Sequence, residues 1–112
     1  MPGKLALGID LGTSSVRAML VDQAARIVAT AARTYDVVAP SPGWAEQDPD
    51  VWWREACTAV RSVLDQAGDV QVVALGFSGQ MHGTVLADSD GKPIRNAVIW
   101  ADQRSSRDVD AF

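Results

Sequence analysis

Residues 5–12, LALGIDLG, put Leu5, Leu7, Ile9 and Leu11 on one side of an extended chain and Ala6, Gly8 and Asp10 on the other. A period of two fits a strand and not a helix, whose neighbours recur every three or four residues. The turn residues GTSS lead into a second apolar run, SVRAMLVD, with Val16, Met19, Leu20 and Val21. A short Gly/Thr/Ser connection between two such runs reads as a hairpin. DQAAR then turns the chain into a third run, IVATAARTY, and the three together predict an antiparallel meander.

Residues 36–47, DVVAPSPGWAEQ, carry two prolines and a glycine and keep no period, so they read as a loop. A helix start follows. Asp48 is placed to cap it, Pro49 occupies the first helical position, and Asp50 adds negative charge where the helix dipole favours it. Trp52, Ala56, Ala59, Val60, Val63, Leu64 and Ala67 recur at helical spacing, and Gly68 supplies the stop. VQVVALGFSGQ is an almost unbroken apolar run, the pattern of a strand buried on both faces and parallel to the first. GTVLAD, the turn SDGKP and IRNAVIW predict a second hairpin, and ADQRSSRDVDAF reads as the beginning of a helix.

The chain has 112 residues, 47% hydrophobic and 21% charged, enough for one domain with a real core. Its formal net charge of −4 and the absence of any Lys/Arg block exclude nucleic acid as a natural partner. The opening apolar run is cut by Asp10 and is too short for a signal or membrane segment, which predicts a cytoplasmic protein with no membrane partner. Cys57, the single cysteine, fits a reducing compartment and reads as a small residue beside the buried helix face.

Two segments could carry chemistry. In the first, Asp10 ends a strand and Gly12, Thr13, Ser14 and Ser15 form the turn. Successive backbone N–H groups there would cradle phosphate oxygens, and the carboxylate would hold Mg²⁺ directly or through water. Arg17 would add a cation. GTSS also reads as a plain turn, with Asp10 as its cap. Neither GxxxxGK[ST] nor GxGxxG occurs.

The second segment, SGQMHG, sets Gln80, Met81 and His82 at the end of the long apolar run, the position where open α/β sheets bind ligands. Gln80 and His82 both donate and accept hydrogen bonds, which suits a polyhydroxylated molecule; a hydrogen-bonded structural role for the lone histidine is the alternative. Trp100, followed by Asp102, offers a ring face for C–H groups beside polar groups for hydroxyls. A core tryptophan and a capping aspartate are the plainer reading of that pair. Trp44, Trp52 and Trp53 are accounted for by helix packing and its preceding loop.

In this order along the chain, GIDLGTSSVRAML, GWAEQDPDVWW, GFSGQMHG and GKPIRNAVIWADQR resemble the amino-terminal region of the FGGY-family carbohydrate kinases. The likeness covers nearly the whole chain. GQMHG is similar to the mark of the xylulokinase branch, where glycerol kinases carry a different sequence. The resemblance implies an α/β, ribonuclease H-like domain of the superfamily of actin, heat-shock chaperones and hexokinase. Its mixed sheet would combine an antiparallel meander, a parallel strand and flanking helices. Residues 1–112 would form only the amino-terminal part of the first kinase domain.

The same resemblance implies ATP and Mg²⁺ as cofactors and D-xylulose as substrate. Asp10 corresponds to the aspartate near Mg²⁺ and the transferred phosphoryl, Gly12, Thr13 and Ser14 to the phosphate hairpin, and Arg17 to a γ-phosphate cation. Met81 and His82 correspond to the sugar-contacting pair, Trp100 to the aromatic of the sugar site, and Asp102 to a neighbouring polar position. The general base and the adenosine pocket would lie downstream, which leaves Asp88, Asp90, Asp108 and Asp110 without that role and this chain alone inactive. Rival readings are a kinase for ribulose, gluconate or glycerol, a non-catalytic sugar- or nucleotide-binding module, and a homodimer built through open sheet edges.

Overall fold

The structure is a computed structural model that describes residues 3–109. The three predicted runs form β1 (Gly3–Leu11), β2 (Ser15–Val21) and β3 (Ile27–Thr34), antiparallel in sequence order. A helix, α1 (Pro49–Ala67), crosses back, and the next strand joins β1 in parallel. Two short strands, β4 (Glu46–Gln47) and β6 (Ala97–Val98), pair with each other, and the fifth strand of the chain, β5 (Val70–Gly79), lies between them in sequence. The main sheet has the order β3-β2-β1-β5.

The predicted alternation decides which face is buried. Leu7 pairs with Leu20 and Ile9 with Ala18, and Leu20 pairs onward with Ala29. Leu5, Leu7, Ala18, Leu20 and Ala29 meet Ala59 and Val63, one turn apart on α1. Alanines at three of these positions leave room for the helix to sit close to the strands. Asp48 caps α1 as expected, its Oδ1 accepting from the Asp50 amide at 2.9 Å, and Gly68 ends the helix at φ 74°. Cys57 is half-buried rather than part of this core.

Several expectations change. β5 is exposed along most of its length, with Phe77 at 73%, instead of buried on both faces. α1 packs on β2 and β3 and hardly touches β1, so apart from Val70, which packs against the core, β5 is left largely uncovered. Residues 36–47 are not wholly loop. Val38 bridges to Glu46, and Glu46–Gln47 form β4. The second hairpin is only a frayed one: Thr84 bridges to Val98 and Ala87 to Pro93, while the regular pairing of Ala97–Val98 is with β4. The two partners use opposite edges of this segment, Val98 exchanging both bonds with Thr84 and the Ile99 amide donating to the Ala45 carbonyl at 3.1 Å. The tail forms a 3₁₀ turn over Arg104–Arg107 in place of the start of an α-helix, and residues 110–112, with Asp110, lie outside the described residues. No helix among the described residues is long and apolar enough to cross a membrane.

Candidate functional site

The carboxyl ends of the parallel strands β1 and β5 bring the two predicted segments together. Gly12 N–H donates to the Ser15 carbonyl at 2.8 Å and closes the turn between β1 and β2. A Cβ at Gly12 would stand 3.0 Å from that carbonyl oxygen, so a side chain would push the turn open. On the β5 side, the Gln80 amide donates to the Leu11 carbonyl at 2.8 Å, which pins the 80–83 loop to the end of β1.

Thr13, Gly79, Gln80, Met81, His82 and Trp100 line one open depression of about 370 Å³. Met81, His82 and Trp100 are all exposed there. His82 has a backbone φ of 62°, a left-handed conformation that costs a residue with a Cβ about 1–3 kcal/mol. Such strain is characteristic of ligand-contacting positions. The Trp100 indole N–H donates to Thr13 Oγ1 at 2.8 Å, so the ring that borders this depression is tied to the hairpin of β1 and β2.

Asp10 and Arg17 lie opposite each other in the β1–β2 register and line a neighbouring depression with Gly8, Gly76 and Ser78. Asp10 is exposed and accepts a hydrogen bond from Ser78 Oγ at 2.8 Å. Among the described residues there is no group of three or more His, Cys, Asp or Glu side chains. One carboxylate beside a turn of backbone donors still fits Mg²⁺, which is held through one or two carboxylates, water and substrate phosphates rather than by an all-protein cage. Ser14 is exposed in the turn, and its carbonyl accepts from the Tyr35 amide at 3.1 Å.

Beneath the turn is a polar network that pattern reading missed. Gln47, only 2% exposed, donates from Nε2 to the Thr13 carbonyl at 2.6 Å. Its Oε1 accepts from Trp52 Nε1 at 3.0 Å and from Gln80 Nε2 at 2.9 Å. Thr13 Oγ1 in turn donates to Gln80 Oε1 at 3.4 Å. The Gln80 side chain is therefore committed to bracing the hairpin, while its two successors are left exposed. Trp52, read as plain helix packing, is one of the donors. Gln47 sits in a stretch without period, next to the Asp48 cap, so only its partners in space disclose it.

Tyr35 braces the same turn by donating its hydroxyl to the Gly12 carbonyl. Burial and then the negative charge of Asp10 push its hydroxyl up to about 12 from an ordinary 10.0. The folded state therefore holds a proton that the unfolded state loses near pH 10, so this contribution is complete below pH 10 and is lost as pH rises toward 12. Denaturation from pH 9 to 12 is expected to show a loss of stability in that window that Tyr35→Phe reduces. An identical pH profile for the variant would show that the hydroxyl contributes nothing.

Asp102 is placed differently. Its side chain is 3% exposed and faces the segment before α1, accepting from the Ala45 amide at 2.7 Å and from Arg104 Nη2 at 2.7 Å. Arg104 also reaches Glu46 at 2.6 Å and stacks over the Trp44 ring at 3.9 Å. Hydrogen bonds from Arg104 hold both carboxylates below their usual range. Asp102 thus joins β4 to the 3₁₀ turn and does not line the depression around His82.

The description "FGGY family of carbohydrate kinases, N-terminal domain" matches residues 5–112. The chain belongs to the FGGY family of carbohydrate kinases. It is 39% identical over 102 residues to a xylulose kinase of Escherichia coli (strain K12), covering 91% of this chain and 21% of that protein. A glycerol kinase of Allorhizobium ampelinum is also 39% identical, over 109 residues, covering 93% of this chain and 22% of that one. The crystal structure of xylulose kinase from Rhodospirillum rubrum superposes with a TM-score of 0.92 at 32% identity, covering 96% of this chain and 22% of that one. The chain thus spans about a fifth of the length of these relatives. Its sheet, three antiparallel strands and one parallel strand with a flanking helix, is that of the sugar kinases with the actin and hexokinase-like, ribonuclease H-like fold.

Proposed function

We propose that the full-length protein containing this chain transfers the γ-phosphoryl of ATP to a hydroxyl of D-xylulose, giving D-xylulose 5-phosphate. Residues 1–112 would be the amino-terminal part of its first domain. The observation that carries this reading is the direct link at Thr13: one residue belongs to the candidate phosphate turn and also accepts the indole N–H of the aromatic beside Met81 and His82. The length of the relatives and the uncovered apolar residues of β5 support a longer domain.

Phosphoryl transfer asks a protein mainly for positioning and charge neutralisation. Backbone donors of Thr13 and Ser14 would receive phosphate oxygens, Gly12 would hold the turn in shape through its bond to the Ser15 carbonyl, and Arg17 would offset the phosphate charge. Asp10 would hold Mg²⁺, which supplies neutralisation of the charge on the transferred phosphoryl. On the other side of Thr13, Met81 and the Trp100 ring would pack on the carbon skeleton of the sugar while His82 hydrogen-bonds a hydroxyl. None of the six residues lining that depression is a carboxylate, and with His82 committed to recognition of the sugar, the aspartate base that the family resemblance implies would come from elsewhere in the protein. Gln80 and Asp102 would act through their neighbours, Gln80 by fixing the turn and Asp102 by fixing the 3₁₀ segment. The isolated 112 residues would be inactive; sugar-dependent ADP release by them would refute that part.

The test is His82→Ala in the full-length protein. The KM for xylulose is expected to rise about tenfold, the value of one lost hydrogen bond to a polar substrate, with the KM for ATP unchanged. An unchanged sugar KM would remove His82 from the sugar site. The glycerol kinase at equal identity makes a polyol the second reading. Rates with xylulose, ribulose, gluconate and glycerol separate the two, since highest kcat/KM for glycerol would displace the xylulose assignment.

A further inference from the structure

Every hydrogen in the network under Thr13 has a direction, and Trp52 sets it. An indole N–H donates and never accepts. Trp52 therefore forces Gln47 to present Oε1 to it, which turns the Gln47 amide nitrogen toward the Thr13 carbonyl. Gln47 Oε1 can only accept, so Gln80 turns its amide nitrogen to it and its own Oε1 to Thr13. The Thr13 hydroxyl therefore donates to Gln80 Oε1 while its oxygen accepts from Trp100. The loop closes on itself with all donors and acceptors matched, and among the described residues no buried side-chain polar atom lacks a partner.

We infer that Gln47 is a positioning residue of the phosphoryl transfer: it sets the register between the phosphate turn and the sugar-facing loop through Thr13 and Gln80. This rests on the kinase reading above. Gln47 reaches neither depression itself, and it is the one side chain bonded to Thr13, Gln80 and Trp52 at once. Centred on the buried Gln47 and closed, such a part-buried network has one low-energy arrangement, because rotating either amide puts two donors or two acceptors face to face. Removing Gln47 frees the turn and the loop to shift independently. The reacting hydroxyl and phosphoryl must be held about 3–3.5 Å apart and in line, and a misplacement of about 1 Å can cost roughly 100-fold, so a loose register slows transfer without abolishing binding of either partner.

The experiment uses the full-length protein with Gln47→Met and Gln47→Glu, each checked for thermal unfolding. Met keeps the length and loses every hydrogen bond. It is expected to lower kcat for sugar phosphorylation roughly 10- to 100-fold, with both KM values within about threefold of wild type. ADP released per sugar phosphate formed is expected to rise, as water competes at a poorly aligned phosphoryl. Glu keeps the acceptor for Trp52 and Gln80 but donates to the Thr13 carbonyl only when protonated. Its kcat relative to wild type is therefore expected to recover as pH falls. Wild-type kcat and ADP stoichiometry in Gln47→Met would overturn the inference, and so would a rise in both KM values at unchanged kcat.

A separate readout guards against failure of the kinase reading itself. With ¹⁵N-labelled tryptophan, the Trp100 indole N–H is expected to exchange with solvent faster in Gln47→Met than in wild type. If the wild type phosphorylates none of the four substrates, the kinase reading falls while faster exchange still supports the register role. Unchanged exchange overturns that role whatever the activity.

Discussion

Asp10→Asn is expected to lower sugar phosphorylation by the full-length protein about 10²- to 10³-fold, the usual cost of losing one preorganised charge-stabilising group. The substitution is isosteric, and the amide oxygen still accepts from Ser78 Oγ, now found at 2.8 Å on the carboxylate. The exposed position carries no packing, so folding should be unaffected. What changes is charge. The neutral amide no longer offers a hard anionic ligand to Mg²⁺ beside the turn of backbone donors. The sugar KM should stay near wild type because Met81 and His82 line a different depression from Asp10. Steady-state rates over a Mg²⁺ series check this, and a kcat within a few-fold of wild type would remove Asp10 from the phosphoryl site.

Leu20→Ala should give the largest loss of stability, about 2–5 kcal/mol, the range for emptying a leucine-sized space in a packed core. Leu20 is 0% exposed near the end of β2, with Leu7 on one side, Ala29 on the other and Ala59 and Val63 of α1 above. Three of the residues around it are alanines or valine, too short to swing into the gap, so the upper part of the range applies. Urea unfolding of wild type and variant under the same conditions measures it. A loss under about 1 kcal/mol would show that the helix settles onto the strands and closes the space.

Much of this fold was readable because its signals are local. The alternation in LALGIDLG and the Asp48-Pro49-Asp50 start each depend on residues a few positions apart, and both formed as expected. The apolar run of β5 was recognised as a parallel strand, but its burial depends on what lies over it, and α1 covers the other half of the sheet. The site shows the same division. Asp10, Gly12, Thr13, Met81, His82 and Trp100 stood out by residue type at strand ends. Gln47 did not, because its bonds reach 34 positions back to Thr13 and 33 forward to Gln80. Asp102 was recognised as polar and near Trp100, yet its carboxylate turns to Arg104 and Ala45.

The placement of Gln80 has an evolutionary consequence. It anchors its loop through both backbone and side chain, whereas Met81 and His82 project outward, and exposed substitutions of this kind usually change stability by less than about 0.5 kcal/mol. Asparagine or glycine at position 82 would even relieve the left-handed backbone. On the proposed assignment, substrate preference could therefore drift at these two positions at little cost in stability, with the candidate phosphate turn inherited intact. A lineage could try one polyol after another without first having to reinvent its kinase.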